Sequence, residues 1–244
     1  TRHEVSYAKL TAQAVSETTV NDNIQQVSDT DFSIKPTMIQ IATMLTDKVG
    51  RNITKNGLRE LGRLAQNAMQ RKKNKDGLTT IDSTSSTQLG TAGSSMAFGL
   101  VAAAVSNITG NTTEPGHQPI RFVAHPFCMK DIYDQFTSPV GTYDISEGAS
   151  FRIFREGFKG MINTAQAYEN GDFTIDGSDD VKNGVFAKEG IVLVQEMSPR
   201  AETERMPRTG GGSSIITHTD SYAYGIRQNQ WVQEVIADAT APTS

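Results

Sequence analysis

Within the first 50 residues, short stretches carry β-branched residues or alternate apolar with polar ones. Val15-Ser16-Glu17-Thr18-Thr19-Val20 is rich in β-branched side chains, Phe32-Ser33-Ile34-Lys35 alternates strictly, and Met38-Ile39-Gln40-Ile41-Ala42 alternates more loosely. A period of two marks strands with one face turned to an apolar surface. Asp29-Thr30-Asp31, between the first two stretches, carries turn chemistry. The pattern predicts a long two-stranded hairpin over residues 14–46. A lone hairpin is marginal in water, so this one needs another surface to lie on, either its own domain or a neighbouring molecule.

The period then changes to that of a helix. Leu58, Leu61, Leu64, Ala65, Ala68 and Met69 recur at helical spacing and predict a helix over 53–75, with Asn52 or Thr54 as its cap. It ends in Arg71-Lys72-Lys73-Asn74-Lys75, cations that suit the negative end of a helix dipole. Arg59, Arg63, Arg71, Lys72, Lys73 and Lys75 are candidates for contact with DNA or with acidic neighbours; the plainer alternative is a solvated helix with a charged end.

Beyond the helix the chain reads as mixed α and β. Residues 82–95 form a Ser/Thr/Gly link, and Met96 to Ile108 a small-residue helix. Ile120-Arg121-Phe122-Val123-Ala124 reads as a buried strand. It is broken by His125-Pro126, and a helix from Phe127 to Phe136 follows with Pro126 in its first turn. Further strands are predicted at Phe151 to Phe154, Gly160 to Ile162, Ile191 to Val194, Ser214 to Thr219, Tyr222 to Ile226 and Trp231 to Ala237. Gly210-Gly211-Gly212 marks a hinge or hairpin tip.

Composition narrows the function classes. With 23 basic and 27 acidic residues the net charge is −4, which lacks the overall basic bias of a dedicated nucleic-acid binder. The single cysteine, Cys128, excludes an intramolecular disulfide and a cysteine-rich zinc site. No apolar run approaches the roughly 20 residues that span a bilayer, so no membrane partner is expected.

Candidate chemistry is sparse. Cys128 and His125 would serve a cysteine hydrolase, but the break at Pro126 is a poor place to fix such a pair, and a buried thiol beside a strand-end histidine is the plainer reading. Thr209 to Ser214 lacks the lysine and the following helix of a phosphate loop. Asp172, Asp176, Asp179 and Asp180 do not match the calcium-loop spacing. No catalytic residue, no metal and no cofactor are therefore expected.

Several segments, in order, resemble the major capsid proteins of tailed double-stranded DNA bacteriophages, of the Hong Kong 97-like fold. They are Val15-Ser16-Glu17-Thr18-Thr19, Ile34-Lys35-Pro36-Thr37 and Leu45-Thr46-Asp47; the stretch from Gly62 to Leu78; Leu89-Gly90-Thr91-Ala92-Gly93; Phe122-Val123-Ala124-His125-Pro126; Phe186 to Val194; and Trp231 to Ala239. The resemblance covers most of residues 14–239, and it is carried by order and spacing. It implies an α+β fold. Residues 1–50 would be the N-terminal arm and extended loop, and 51–95 a peripheral domain with a long spine helix. Residues 96–198 would be mainly the axial domain, and 199–244 returning strands shared by both.

The resemblance also implies self-assembly through hexamers and pentamers into an icosahedral head around non-specifically held double-stranded DNA. Assembly would take place in the host bacterial cytoplasm, with portal, scaffold and cement proteins as further partners. Ile34, Met38, Ile39 and Ile41 are the candidate inter-subunit contacts. An encapsulin-like nanocompartment shell is the alternative within the same fold.

Overall fold

The computed structural model describes residues 2–7, 29–52, 55–84, 86–111, 116–137, 161–209 and 211–242, with isolated positions 10, 12, 14, 17 and 24. Its strands are β1 (Arg2–Tyr7), β2 (Asp29–Ile34), β3 (Thr37–Thr46), β4 (Leu89–Gly90), β5 (Ile120–Ala124), β6 (Met161–Ile162), β7 (Ala165–Glu169), β8 (Asp180–Ala187), β9 (Ile191–Met206), β10 (Ser213–Ile226) and β11 (Val232–Asp238). The helices are α1 (Asp47–Asn52), α2 (Lys55–Asp82), α3 (Phe98–Thr109) and α4 (Pro126–Thr137). The expected strand at Phe151 to Phe154 and the stretch Val15 to Val20 lie outside the described residues.

The chain forms two compact units, each assembled from separated segments. The first holds 34–80 and 193–225, and the second holds 2–33, 81–192 and 226–244.

In the first unit, β3, β10 and β9 form a sheet in that order. β3 runs antiparallel to β10, with Ile39 opposite Asp220 and Ile41 opposite His218. This corrects the predicted hairpin of residues 14–46. Asp29-Thr30-Asp31 lies inside a strand and not at a turn, β2 pairs with β1, and β3 pairs with a strand near the other end of the chain. Alternation specifies which face of a strand is apolar, but not which strand lies beside it.

The helix α2 also runs past the predicted end at 75. It has 28 residues, about 42 Å at 1.5 Å per residue. Asp76-Gly77 looks like a stop, yet the Thr79 and Thr80 hydroxyls donate back to the carbonyls of Lys75 and Asp76, each at 2.9 Å. At Gly77 a side chain would begin 3.3 Å from the Tyr224 ring, so the glycine lets helix and strand come close. At the sheet's turn, Gly211 and Gly212 have φ of 92° and 101°, the left-handed region that favours glycine. The Gly212 carbonyl accepts from the Asp47 amide at 3.0 Å.

The second unit carries a six-stranded sheet in the order β4-β11-β8-β5-β7-β6. Pairing is parallel for β4 with β11 and for β5 with β7, and antiparallel elsewhere. α3 and α4 supply Val101, Val105, Ile108, Met129 and Ile132 to a core that includes Phe122, Val185 and Val235. Trp231 is buried in the same core. Close packing continues at Gly184, where a Cβ would lie 2.5 Å from Cγ2 of Ile81. The expected strand Ile120 to Ala124 and the helix opening at Pro126 are both present.

Candidate functional site

The structure separates the four expected contact residues. Ile34 is buried. Along β3 exposure alternates, so Ile39, Ile41, Thr43 and Leu45 share a half-buried face while Met38, Gln40, Ala42 and Met44 share the exposed one. The half-buried face is the one toward α2, because Ile39 stands opposite Asp220, whose carboxylate pairs with Lys73 of that helix. Met38 is 65% exposed and Met44 54%. Of the four, Met38 alone presents itself outward, and Met44, which the alternation also places there, joins it.

The six basic candidates do not form one surface either. Residues advance by about 100° each around a helix, which puts Arg59 and Arg63 on one flank of α2 with Gln66 and Gln70. Arg71 and Lys75 lie on the other flank with the exposed Leu64 and Ala68. The predicted apolar stripe is correspondingly partial: Ala65 and Met69 are buried, Leu61 is half-buried and Leu64 is 56% exposed.

Lys73 is not available for outside contact. Its ammonium pairs with Asp220 and sits 5.1 Å from the centre of the Tyr222 ring. Lys72 bonds Asp76 at 2.6 Å, and the Tyr222 hydroxyl donates to the same carboxylate at 2.9 Å. Burial, followed by this carboxylate, pushes the Tyr222 hydroxyl well above its ordinary range. Arg63 pairs with Glu60, and the bond holds the Glu60 carboxyl below its usual value. Arg59, Arg63, Arg71, Lys72 and Lys75 remain exposed.

Cys128 and His125 have separate partners. Cys128 is fully buried, and its Sγ donates to the Asp238 carbonyl at 3.4 Å and accepts from the Asn183 amide at 3.5 Å. Burial pushes the thiol up and the His125 imidazole down. Nδ1 of His125 accepts from the Phe127 amide at 3.3 Å. A thiolate nucleophile needs the opposite setting, an exposed and positively charged one. Cys128 is thus a small core residue, and the geometry gives no support to a hydrolase.

The acidic cluster is occupied with local structure. Oδ1 of Asp176 accepts from the amides of Ser178 and Asp180, and Asp180 accepts from the Gly93 amide at 2.6 Å. Among the described residues, no group of three or more His, Cys, Asp or Glu side chains is arranged to hold a metal ion, and no helix is long and apolar enough to cross a membrane.

Sequence reasoning missed the buried polar residues. Asn183 accepts from the His125 amide at 2.9 Å, tying β8 to the end of β5. Glu234 accepts from Gln88 at 2.7 Å and stands 3.5 Å from Lys182, which also pairs with Asp82. Polar residues inside strands read as solvent positions until their partners, far along the chain, are known.

No protein-family model matches the chain, and no curated protein matches its sequence. Solved structures do. The head structure of Helicobacter pylori bacteriophage KHP40 matches with a TM-score of 0.73 at 11% identity, over 97% of this chain and 84% of that one. A structure of Mycobacterium phage Che8 matches with a TM-score of 0.71 at 16% identity, over 95% and 84%. The holo-SrpI encapsulin complex from Synechococcus elongatus PCC 7942 matches with a TM-score of 0.64 at 9% identity, over 90% and 80%. At these identities the likeness is one of fold. The chain has the mixed helix-and-strand fold of phage capsid structures, in keeping with the Hong Kong 97-like expectation.

Proposed function

We propose that the chain is the major capsid protein of a tailed double-stranded DNA phage. It would form a closed shell from hexamers and pentamers of itself, and work by assembly and not by catalysis. The observation that carries this reading is a fold shared with phage head structures over nearly the whole chain.

In this reading α2 is the spine helix and residues 1–50 supply the arm and extended loop that reach a neighbouring subunit. Met38 and Met44, exposed on one face of β3, are the apolar contacts of that region. Buried apolar surface contributes about 25 cal/mol per Å² before ordering costs. Each contact can be weak, because closed symmetry repeats it many times. The exposed cations of α2 are candidates for meeting packaged DNA, held without sequence preference. Portal, scaffold and cement proteins would complete the virion, assembled in the bacterial cytoplasm.

Negative-stain microscopy with sedimentation velocity on the purified protein tests this. Closed shells or ring-shaped capsomers, with double-stranded DNA extracted from native particles, are the expected result. Shells that enclose a protein cargo and no genome would move the reading to a nanocompartment. A concentration-independent monomer that never assembles, even with co-expressed scaffold, would overturn both.

A further inference from the structure

Two clefts of the first unit meet along one flank of α2. A broad groove of about 840 Å³ is lined by Arg59, Glu60, Gly62, Arg63 and Gln66. A second cleft of about 250 Å³ continues from Gly62 and Gln66 to Gln70, and its far wall includes Arg200 of β9 and His218 of β10. The structure thus sets two guanidiniums on the helix wall, a third on the strand wall and two side-chain amides between them.

The acids near this groove are already engaged. Glu60 pairs with Arg63, Asp220 pairs with Lys73, and Glu202 lies 3.4 Å from Arg200. The two arginine pairs are exposed, and exposed ion pairs contribute little. Their guanidiniums can exchange one carboxylate for another. His218 adds an imidazole whose Nδ1 is buried without a hydrogen-bond partner.

We propose that this groove binds an extended acidic peptide segment of a partner protein. The spacing supports an extended chain. Arg59 and Arg63 are four residues apart on a helix, about 6 Å along its axis. Alternate residues of a strand lie about 6.6 Å apart on one side. A segment with a carboxylate at every second position therefore offers one acid each to Arg59 and Arg63, with Arg200 on the facing wall. From Arg59 to Gln70 the groove runs about 16 Å, the length of about five extended residues. Gln66 and Gln70 have both a donor and an acceptor, which suits the backbone of such a segment. This inference rests on the groove and not on the shell reading, so either stands if the other fails.

The test is fluorescence anisotropy with the full chain and a labelled ten-residue peptide of alternating Glu and Ala. An alternating Gln and Ala peptide and a 20-base-pair DNA duplex are run beside it. Saturable binding of the acidic peptide, lost at least tenfold in Arg63→Ala/Arg200→Ala and unchanged in Arg71→Ala/Lys75→Ala on the opposite flank, is the expected result. All variants change exposed side chains, and circular dichroism checks their fold. Equal loss in both pairs of variants, equal binding of the Gln peptide, or no binding would overturn the proposal. So would a duplex that binds more tightly and shows the same dependence on Arg63 and Arg200, since the groove would then be a DNA surface.

Discussion

Lys73 of α2 pairs with Asp220 of β10, a carboxylate with no solvent exposure. The Lys73 side chain itself is only 11% exposed. Removing one partner of such a pair leaves a buried charge uncompensated, at a cost of about 3–5 kcal/mol. Lys73→Ala is expected to lower stability by that order in denaturant unfolding of the unassembled protein. The double variant Lys73→Met/Asp220→Leu should recover most of the loss, because replacing a whole buried pair by apolar residues is often neutral. A Lys73→Ala protein as stable as the parent would show that the pair is solvated in solution.

On the proposed shell reading, the alternation of β3 separates assembly contacts from folding contacts. Met38→Asp/Met44→Asp changes exposed positions and is expected to leave a folded subunit that forms no shells. Ile39→Asp/Ile41→Asp places charges on the half-buried face toward α2 and should unfold the subunit or melt it well below the parent. Microscopy and thermal unfolding of both variants give the comparison. Normal shells from the methionine variant would remove β3 from the assembly contacts.

Cys128 should be unreactive while the chain is folded. Its burial and raised thiol pKa predict no labelling by a thiol reagent at pH 8 over a time in which the denatured chain labels fully. Fast labelling of native protein, with loss of a hydrolytic activity, would restore the enzyme reading.

Arg205 and Asp47 give a pH-dependent contact. Two bonds of 2.7 and 2.6 Å join them, and the arginine holds the Asp47 carboxyl below its ordinary range. A carboxylate with a depressed pKa contributes stability that is complete above its unfolded pKa and is lost as pH falls through the folded one. The stability difference between the parent and Arg205→Ala is therefore expected to be constant at neutral pH and to vanish under acid. Unfolding midpoints at pH 7 and over a series descending well below the ordinary carboxylate range measure it.

The sequence made local elements legible where apolar runs and backbone chemistry agree. Ile120 to Ala124 is a continuous apolar-rich run, and Pro126 at the first turn of α4 announces the next helix. β10 was visible only as two pieces, because Asp220 and Ser221 look like a break. In the folded chain Asp220 pairs with Lys73, and Ser221 donates to Glu196 at 3.0 Å, so the strand runs through. The end of α2 is hidden in the sequence for a related reason, since what makes Gly77 acceptable inside the helix is the Tyr224 ring across from it.

The candidate surfaces were less legible than the fold. Lys72 and Lys73 are equivalent as letters. One faces outward and the other inward, and only the position of Asp220 tells them apart. Met38 could be named from alternation, but which face of β3 is covered depends on β10, far along the chain. The groove beside Gln66 is made by residues from three elements, so no local motif announces it.

The discontinuity of the two units sets the order in which a newly made chain can become competent. The boundaries fall near residues 33, 80, 192 and 225, inside β2, α2, β9 and β10. No single cut releases either unit whole. The first lacks the central strand of its sheet until residue 225 has been made, and the second lacks β11 until residue 238. A nascent chain therefore holds neither finished unit until residue 225 has been made. The two units therefore become able to close within a few residues of one another, as β10 and then β11 emerge.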